Sequence, residues 1–288
     1  MLPLIESMLL TRGDRAESYL AAGMAYSKTG QRKQQKSEAE AKQWFAKARD
    51  VYSQAIAKWP ADRQFVGRYA DMCMVLREEG SGEKVLKAYA DRPENKGKAD
   101  PLVMLAEFYS RTQSPSHAQM FLQQAMEVEP NNVEVRSRLV AQLAALRQYD
   151  QALLILDQAK NAEPLLIRQK IEILISAGRL ADARTLLNDL LTVHPNDPNY
   201  MSALFFVAMK ENKTEEARPT IAKVLAIDPH HAMALYYRGI IHVRQTPPDY
   251  VGALTDLRTA LVYAPDNPDI RKAVQEAEAA AKGRPKGR

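Results

Sequence analysis

A fixed interval of twelve residues separates a very small residue from a proline at seven places in this chain of 288 residues. The pairs are Ala48/Pro60, Ser81/Pro93, Ala118/Pro130, Ala152/Pro164, Ala183/Pro195, Ala217/Pro229 and Ala253/Pro265. The prolines recur at intervals of 33, 37, 34, 31, 34 and 36 residues. A period near 34 residues is typical of helical repeat arrays, in which each repeat buries its apolar face against its neighbours. Such an array offers a long surface rather than a chemical pocket.

Each repeat is predicted to contain two amphipathic helices, which we call the first and the second helix. In residues 99–132 the apolar side chains recur every three or four positions, which places them on one helical face. These side chains are Leu102, Leu105, Ala106 and Tyr109 in the first helix and Ala118, Leu122 and Ala125 in the second. The second helix is expected to stop before Pro130, because proline cannot continue a helix. The Asn and Asp residues that follow the repeat prolines suit helix N-caps.

This pattern resembles that of the tetratricopeptide repeat family. The motifs that carry the resemblance are Leu102-x2-Leu105-Ala106-x2-Tyr109, Ala118-x3-Leu122-x2-Ala125-x4-Pro130, Tyr19-x2-Ala22-Gly23-x2-Tyr26 and Leu235-x3-Gly239. The resemblance covers about residues 16–265. It implies an all-α fold, a right-handed solenoid of helical hairpins that forms a superhelix. About seven repeats, a leading helix and a C-terminal capping helix are expected.

The repeat register predicts the organisation of the chain. We expect a leading helix over residues 1–15, from a truncated upstream repeat. Repeats one and two are expected over 16–97, with a polar insertion at 31–42, and repeats three to seven over 98–266. A capping helix over 267–282 and a basic disordered tail over 283–288 are expected to follow. Residues 79–82 are predicted to form a glycine-rich turn, and residues 94–98 a flexible joint.

The charge and composition exclude several classes of partner. The net charge is +5, and four basic residues lie in the last seven positions, so the rest of the chain is close to neutral. Nucleic-acid binding would depend on this tail alone and is not expected. No apolar run reaches the length of a membrane-spanning helix, so no membrane insertion is expected. The single cysteine excludes an internal disulfide and fits a reducing compartment such as the cytoplasm, without excluding the periplasm.

The residue patterns of the common enzyme classes are absent from the sequence. There is no glycine-rich phosphate loop and no nucleophile motif. His230 and His231 follow Pro229, where the sister repeats carry Asn or Asp, and are predicted to be turn residues rather than metal ligands. Cys73 falls on an apolar helix face and is predicted to be a buried hydrophobic residue. We therefore expect no catalytic residue, cofactor or metal, and a chain that is not an enzyme.

In the family that the chain resembles, the first helices line a concave groove that binds peptides. By register, a charged set of groove residues is predicted at Arg68, Asp71, Glu107, Arg111, Arg138, Arg168 and Glu172, and an aromatic and apolar set at Phe206, Met209, Met233, Tyr236, Tyr237 and Ile240. This composition is typical of protein-binding surfaces. The alternative is that the capping helix or the curvature of the array buries the apolar set.

The leading functional hypothesis is a non-enzymatic scaffold that binds a protein or peptide segment, as an assembly or adaptor module. The alternative is a repeat portion of a larger bacterial enzyme or of a secretion or polysaccharide-export system. Members of the family that hold chaperone C-termini use a set of Lys, Asn and Arg on successive first helices. The matching positions here include Ser137, Ala141, Leu165 and Gln169, so chaperone-tail binding is not expected. The oligomeric state is not predicted.

Overall fold

A computed structural model describes residues 7, 9, 11, 15–159 and 163–282. Over residues 15–159 and 163–282 the chain forms fifteen α-helices and a short 3-10 helix at Pro93–Asn95, without a strand. The helices are α1 Ala16–Gln34, α2 Glu38–Lys58, α3 Arg63–Leu76, α4 Glu79–Ala90, α5 Ala99–Arg111, α6 Pro115–Val128, α7 Val133–Ala145, α8 Tyr149–Asp157, α9 Pro164–Ser176, α10 Leu180–Val193, α11 Pro198–Lys210, α12 Thr214–Ile227, α13 Ala232–Arg244, α14 Tyr250–Tyr263 and α15 Pro268–Lys282.

The helices follow one another in the order of seven repeats, from α1 and α2 to α13 and α14, and α15 follows as one further helix. The predicted all-α repeat fold is therefore confirmed. The tail over residues 283–288 lies outside the described residues, as does the leading helix except for residues 7, 9, 11 and 15.

The two helices of a hairpin approach closely at the small residues. Six of the seven predicted small positions are alanines that solvent does not reach, namely Ala48, Ala118, Ala152, Ala183, Ala217 and Ala253. In repeat seven, a Cβ atom added at Gly239 of α13 would lie 2.7 Å from Cγ of Leu257 in α14. Because the helix axes can approach only where side chains are short, these positions fix the geometry of each hairpin.

The prediction for repeat two is wrong at its small residue and its turn. Ser81 is exposed, whereas Gly82 is buried, eleven residues before Pro93. Residues 79–82 form the first turn of α4 rather than a glycine-rich loop. The reason is the aromatic side chain of Phe108, since a Cβ atom at Gly82 would lie only 2.9 Å from its ring. Glycine stands at this position because a Cβ atom would be too close to the Phe108 ring.

Repeat four also departs from its prediction. The repeat pattern places the second helix up to shortly before the proline, but α8 ends at Asp157, and Pro164 begins the next helix. The buried side chain of Arg136 donates hydrogen bonds to the carbonyl oxygens of Ile155, at 2.5 Å, and Pro130, at 2.7 Å. These bonds satisfy a carbonyl in the last turn of α8, which offsets the early end of the helix.

The turns between repeats carry the predicted caps. The residue two positions after the repeat proline accepts a hydrogen bond from a backbone N–H of the following helix at five turns, through Asp62, Asn132, Asp197, His231 and Asn267. Each cap satisfies an N–H group that has no partner inside the helix.

The polar insertion predicted in repeat one at residues 31–42 lengthens both of its helices. The first helix runs to Gln34, and the second begins at Glu38. Tyr26 stacks on Trp44 with ring centroids 5.9 Å apart, so the added turns bury aromatic surface.

The chain divides into two compact parts, Met1–Leu166 and Ile167–Arg288. In the N-terminal part, the core includes Tyr52, Phe65 and Leu105, and in the C-terminal part it includes Phe205 and Ile221. The flexible joint at residues 94–98 stays a prediction. Within this segment, Asn95 is buried and donates a hydrogen bond to the carbonyl oxygen of Tyr89 at 2.8 Å.

Candidate functional site

The predicted aromatic set lies on the first helices of the C-terminal part. We call Phe206, Met209, Met233, Tyr236, Tyr237 and Ile240 the aromatic surface. Its residues come from α11 and α13 because apolar side chains recur there on more than one helix face. One set points into the hairpins, as Phe205 and Leu235 do, and a second is left between neighbouring first helices.

Four members of the aromatic surface line one cavity of about 340 Å³ between α11, α13 and α15. These residues are Met209, Tyr236, Tyr237 and Ile240, and Ala273 of α15 completes the apolar wall. The charged residues at the cavity are Lys210, Arg244, Asp269, Lys272 and Glu276. The cavity thus combines an apolar wall with charged groups of both signs.

Phe206 and Met233 take other positions. The ring of Phe206 contacts that of Tyr237 edge-on, with centroids 6.0 Å apart, and the ammonium group of Lys210 lies 5.4 Å from the Phe206 centroid. Met233 packs on the core beside Asn267, whose amide nitrogen lies 3.9 Å from the sulfur. Phe206 therefore extends the surface beyond the cavity, whereas Met233 supports it from below.

The tyrosine pair is held by packing. Tyr236 and Tyr237 contact one another with centroids 4.8 Å apart, and Tyr237 also contacts Phe205 at 5.6 Å. Burial raises the pKa of both phenols above the ordinary value, and most strongly that of Tyr237. Both side chains are partly rather than fully buried, so the alternative of complete burial by α15 does not hold for them. Among the predicted members of the set, Met209 is the buried one, with 7% of its surface exposed.

The predicted charged set of the N-terminal part lies around a second cavity, of about 620 Å³, between α3 and α5. Arg68, Asp71, Glu107 and Arg111 line it, together with residues that the sequence did not single out, namely Arg63, Gln64, Gly67, Ala70, Met74, Leu86, Met104 and Phe108. The helical spacing of three or four positions from Arg68 to Gln64 and Asp71, and from Asp71 to Met74, could have identified part of this lining.

Ion pairs join successive first helices around this cavity. Arg111 pairs with Asp71 of the preceding repeat, and Arg138 pairs with Glu107 in the same manner. Arg138 also binds Glu134 on its own helix at 2.8 Å. These side chains are partly exposed, so each pair adds little to stability. Their effect is to set the charge of the surface.

Arg168 and Glu172 complete the predicted set. They form an ion pair of 3.8 Å on α9, with about two thirds of each side chain exposed at 69% and 64%. Neither residue lines either of the two cavities. The structure therefore shows Arg168 and Glu172 as an exposed pair on α9.

The cysteine and the paired histidines lie as predicted. Cys73 is fully buried, and burial raises the pKa of its thiol, which keeps it in the unreactive protonated form. His231 caps α13 by accepting the backbone N–H of Ala234 at 3.2 Å. No group of three His, Cys, Asp or Glu side chains that could hold a metal ion occurs in the portion that the structure describes.

An ion pair inside repeat seven was not predicted. Asp256, with 8% of its side chain exposed, accepts two hydrogen bonds of 2.7 Å from the guanidinium of Arg238. His242 lies 3.8 Å from the same carboxylate and 3.3 Å from that of Asp249. The sequence offered no signal for this group, because its members are four to eighteen positions apart and are brought together only by the α13–α14 hairpin.

Comparison with known proteins agrees with the geometry of the repeats. Residues 203–268, which span repeats six and seven, match the family model for the tetratricopeptide repeat. The same hairpin recurs through the described residues. Repeats six and seven therefore match the tetratricopeptide repeat family, and the described residues share the fold of tetratricopeptide repeat proteins. Repeats of this family are in general non-catalytic scaffolds for protein–protein interaction.

Three known proteins show the extent of the likeness. A DnaJ homolog subfamily C member 3 homolog of Dictyostelium discoideum is 25% identical over 167 residues, which are 57% of this chain but only 29% of that protein. The C-terminal part of a repeat-containing protein from Cytophaga hutchinsonii has a TM-score of 0.57 at 14% identity, covering 80% of this chain and 94% of its own. A tetratricopeptide repeat protein from Parabacteroides merdae has a TM-score of 0.52 at 14% identity, covering 89% and 98%.

None of the helices over residues 15–159 and 163–282 is both long enough and apolar enough to cross a bilayer.

Proposed function

We propose that this chain is a non-enzymatic scaffold that binds a partner protein segment on its first helices, as an assembly or adaptor module. The observation that carries the proposal is the cavity on the aromatic surface. There, Tyr236, Tyr237 and Ile240 stay partly exposed between three helices, beside Lys210 and Arg244. Aromatic side chains that are rigid and only partly covered are the groups that anchor protein partners.

The hairpin packing supports the same function. Small residues lock each first helix against its second helix, so side chains on the outer face of a first helix start from fixed positions. A surface that is ordered before binding loses less conformational entropy when the partner docks. In each compact part, a cavity between first helices gives a partner side chain a place to insert.

A second candidate is that the chain is the repeat portion of a larger enzyme or of a secretion or polysaccharide-export system. The observation that favours it is the match to the Dictyostelium protein, since the matched residues are only 29% of that longer chain. Under this alternative the repeats still bind a protein segment, and the chemistry lies outside these residues. Determination of the full open reading frame separates the two candidates.

The double change Tyr236→Ala and Tyr237→Ala tests the proposal. We expect at least a tenfold loss of affinity for the partner, because two aromatic anchors are removed. The measurement is a pull-down with the intact chain from a lysate of the source organism, followed by titration of the recovered partner. The matched control is Tyr263→Ala, since Tyr263 is half exposed on the second helix α14, outside the cavity.

Both tyrosines pack on the core, so a second variant guards against loss of folding. Arg244 is exposed at the edge of the cavity, and Arg244→Glu leaves the core unchanged. The proposal is wrong if the double variant and Arg244→Glu both keep a native circular dichroism spectrum and full affinity for the partner.

A further inference from the structure

The charges around the cavity between α3 and α5 balance except at one residue. Arg63 pairs with Asp100 at 2.9 Å, Arg111 pairs with Asp71, and Glu107 pairs with Arg138. Arg68 lines the same cavity and has no carboxylate within 4.0 Å among the residues that the structure describes. The cavity therefore presents one positive charge, the guanidinium of Arg68, that no carboxylate of the described cavity residues pairs with.

Arg68 is also held in place. Its side chain is partly buried and lies against the hydroxyl of Tyr52, which has 1% of its surface exposed. Burial raises the pKa of that phenol, and the positive charge of Arg68 acts in the opposite direction. A guanidinium that is partly withdrawn from water and fixed by a neighbour is well suited to receive a carboxylate through two parallel hydrogen bonds.

Gly67 is a second, independent feature of this cavity. Glycine weakens the interior of a helix, so a glycine there needs a reason. At Gly23, Gly82 and Gly239 the reason is packing, because an added Cβ atom would lie 2.3, 2.9 and 2.7 Å from a neighbouring side chain. At Gly67 the nearest atom, Cε of Met104, would be 3.5 Å away, an ordinary contact. The packing of the chain therefore does not require this glycine.

The position of Gly67 explains what its missing side chain provides. Gly67 lies on α3 within the cavity lining, one residue before Arg68. Without a side chain there, another main chain can approach the helix backbone closely. Part of the surrounding wall is apolar and adaptable, since it includes Met74, Met104 and Phe108.

We infer that this cavity binds an extended partner segment in which an Asp or Glu side chain stands beside an aliphatic side chain. The carboxylate pairs with Arg68, the main chain of the segment passes over Gly67, and the aliphatic side chain lies against Met74 and Met104. One unpaired guanidinium calls for one negative charge, which a side-chain carboxylate supplies. This inference rests on the proposed function, because it names the partner chemistry for the first-helix face of the N-terminal part.

A displayed library of random twelve-residue peptides tests the inference. The random stretch is flanked by fixed neutral residues, so that no chain terminus lies within it, and the target is the full chain. We expect enriched sequences to carry Asp or Glu next to Leu, Ile, Val or Met. Selection on the Arg68→Gln variant should lose the preference for acid, whereas selection on Arg32→Gln should keep it. Arg32 is exposed on α1 and does not line the cavity, so it is a charge-matched control.

An enriched peptide then allows a double-mutant cycle. Replacing its acid by the matching amide should weaken binding to the unchanged chain by about tenfold, as expected for a charge-assisted hydrogen bond. The same replacement should change binding to Arg68→Gln by less than twofold. Affinities are measured by fluorescence anisotropy with the labelled peptide.

The matched glycine variants test the second feature. Gly67→Leu fills the cavity floor and should weaken the peptide at least tenfold, whereas Gly80→Leu should leave the affinity unchanged. An added Cβ atom at Gly80 meets nothing within 4 Å, so this control changes the same residue type in open space. Circular dichroism and urea unfolding establish that both variants are folded.

The outcomes separate this inference from the proposed function. Enriched peptides without acid preference, or peptides insensitive to Arg68→Gln, overturn the inference. Peptides that require a free C-terminal carboxylate or a phosphate also overturn it. If binding depends on Tyr236 and Tyr237 but not on Arg68 and Gly67, the inference fails and the proposed function stands. If no peptide is enriched on the full chain, both fail.

Discussion

At the scale of the residue, burial raises the pKa of the Tyr237 phenol. The neutral phenol packs between Phe205, Phe206 and Tyr236, so ionisation in the folded chain would place a charge against apolar rings. Burial raises the pKa of Tyr237 for this reason. In the unfolded chain the phenol titrates near its ordinary value of about 10. The folded state therefore holds this proton to a higher pH than the unfolded state.

The sign of the resulting pH dependence follows from linkage. A raised pKa gives stability that is fully present below pH 10 and is lost as the pH rises from there through the raised value. Between pH 8 and pH 11 the unfolding free energy of the unchanged chain should fall by about 1 kcal/mol more than that of the Tyr237→Phe variant. This figure allows for the solvent around a partly exposed phenol. Urea unfolding at the two pH values measures it. Tyr263→Phe, at a half-exposed position, is the control, and equal profiles for all three chains would contradict the prediction.

At the scale of the element, the hairpin contact is set by the smallest side chains. An added methyl group at Gly239 would meet Cγ of Leu257 at 2.7 Å and the backbone oxygen of Ala253 at 3.2 Å. The backbone oxygen cannot move aside as a flexible side chain can. Gly239→Ala should therefore lower the free energy of unfolding by about 1–3 kcal/mol through overpacking, although alanine favours the helix.

The matched change for this prediction is Gly80→Ala. Gly80 lies in the first turn of α4, and an added Cβ atom has no neighbour within 4 Å. This change should leave stability unaltered or raise it by up to about 1 kcal/mol. Urea unfolding of both variants measures the difference, and a stabilised Gly239→Ala chain would mean that α13 and α14 do not meet as described.

The elements also show what the sequence could and could not predict. The seven hairpins, the capping side chains and the burial of Cys73 follow from local spacing, because each depends on contacts a few positions apart. The register of repeat two does not follow from local spacing. Gly82 is buried there instead of the predicted Ser81 because of its contact with Phe108, which belongs to the next repeat. The early end of α8 likewise depends on the buried Arg136 of the preceding helix. Packing between elements overrides local pattern at both places.

At the scale of the whole molecule, each helix contacts mainly its neighbours in sequence. The stability of such an array is close to a sum over repeats and the interfaces between adjacent repeats. Gly239→Ala should therefore speed amide hydrogen exchange in α13, α14 and α15 and leave α1 and α2 unchanged. Exchange measured by mass spectrometry gives the profile. A uniform increase along all described helices would show that the chain unfolds as one unit.

The candidate sites were predictable only in part at this scale. The register assigned Arg68, Asp71, Glu107 and Arg111 to one face, and the structure places all four around one cavity. It also assigned Arg168 and Glu172 to that set, and they line neither cavity. The significance of Gly67 could not be predicted, because a glycine in a helix is informative only when its neighbours in space are known.

The caps between repeats have a consequence for how such a chain can change length. At Asp62, Asn132, Asp197, His231 and Asn267 the capping side chain belongs to the turn itself and binds the helix that follows it. A segment cut from one such residue to the next carries its own helix start and leaves an equivalent start behind. An in-frame duplication or deletion between two caps therefore joins a complete turn to a complete helix. The gene can gain or lose hairpins as modules without creating an uncapped helix.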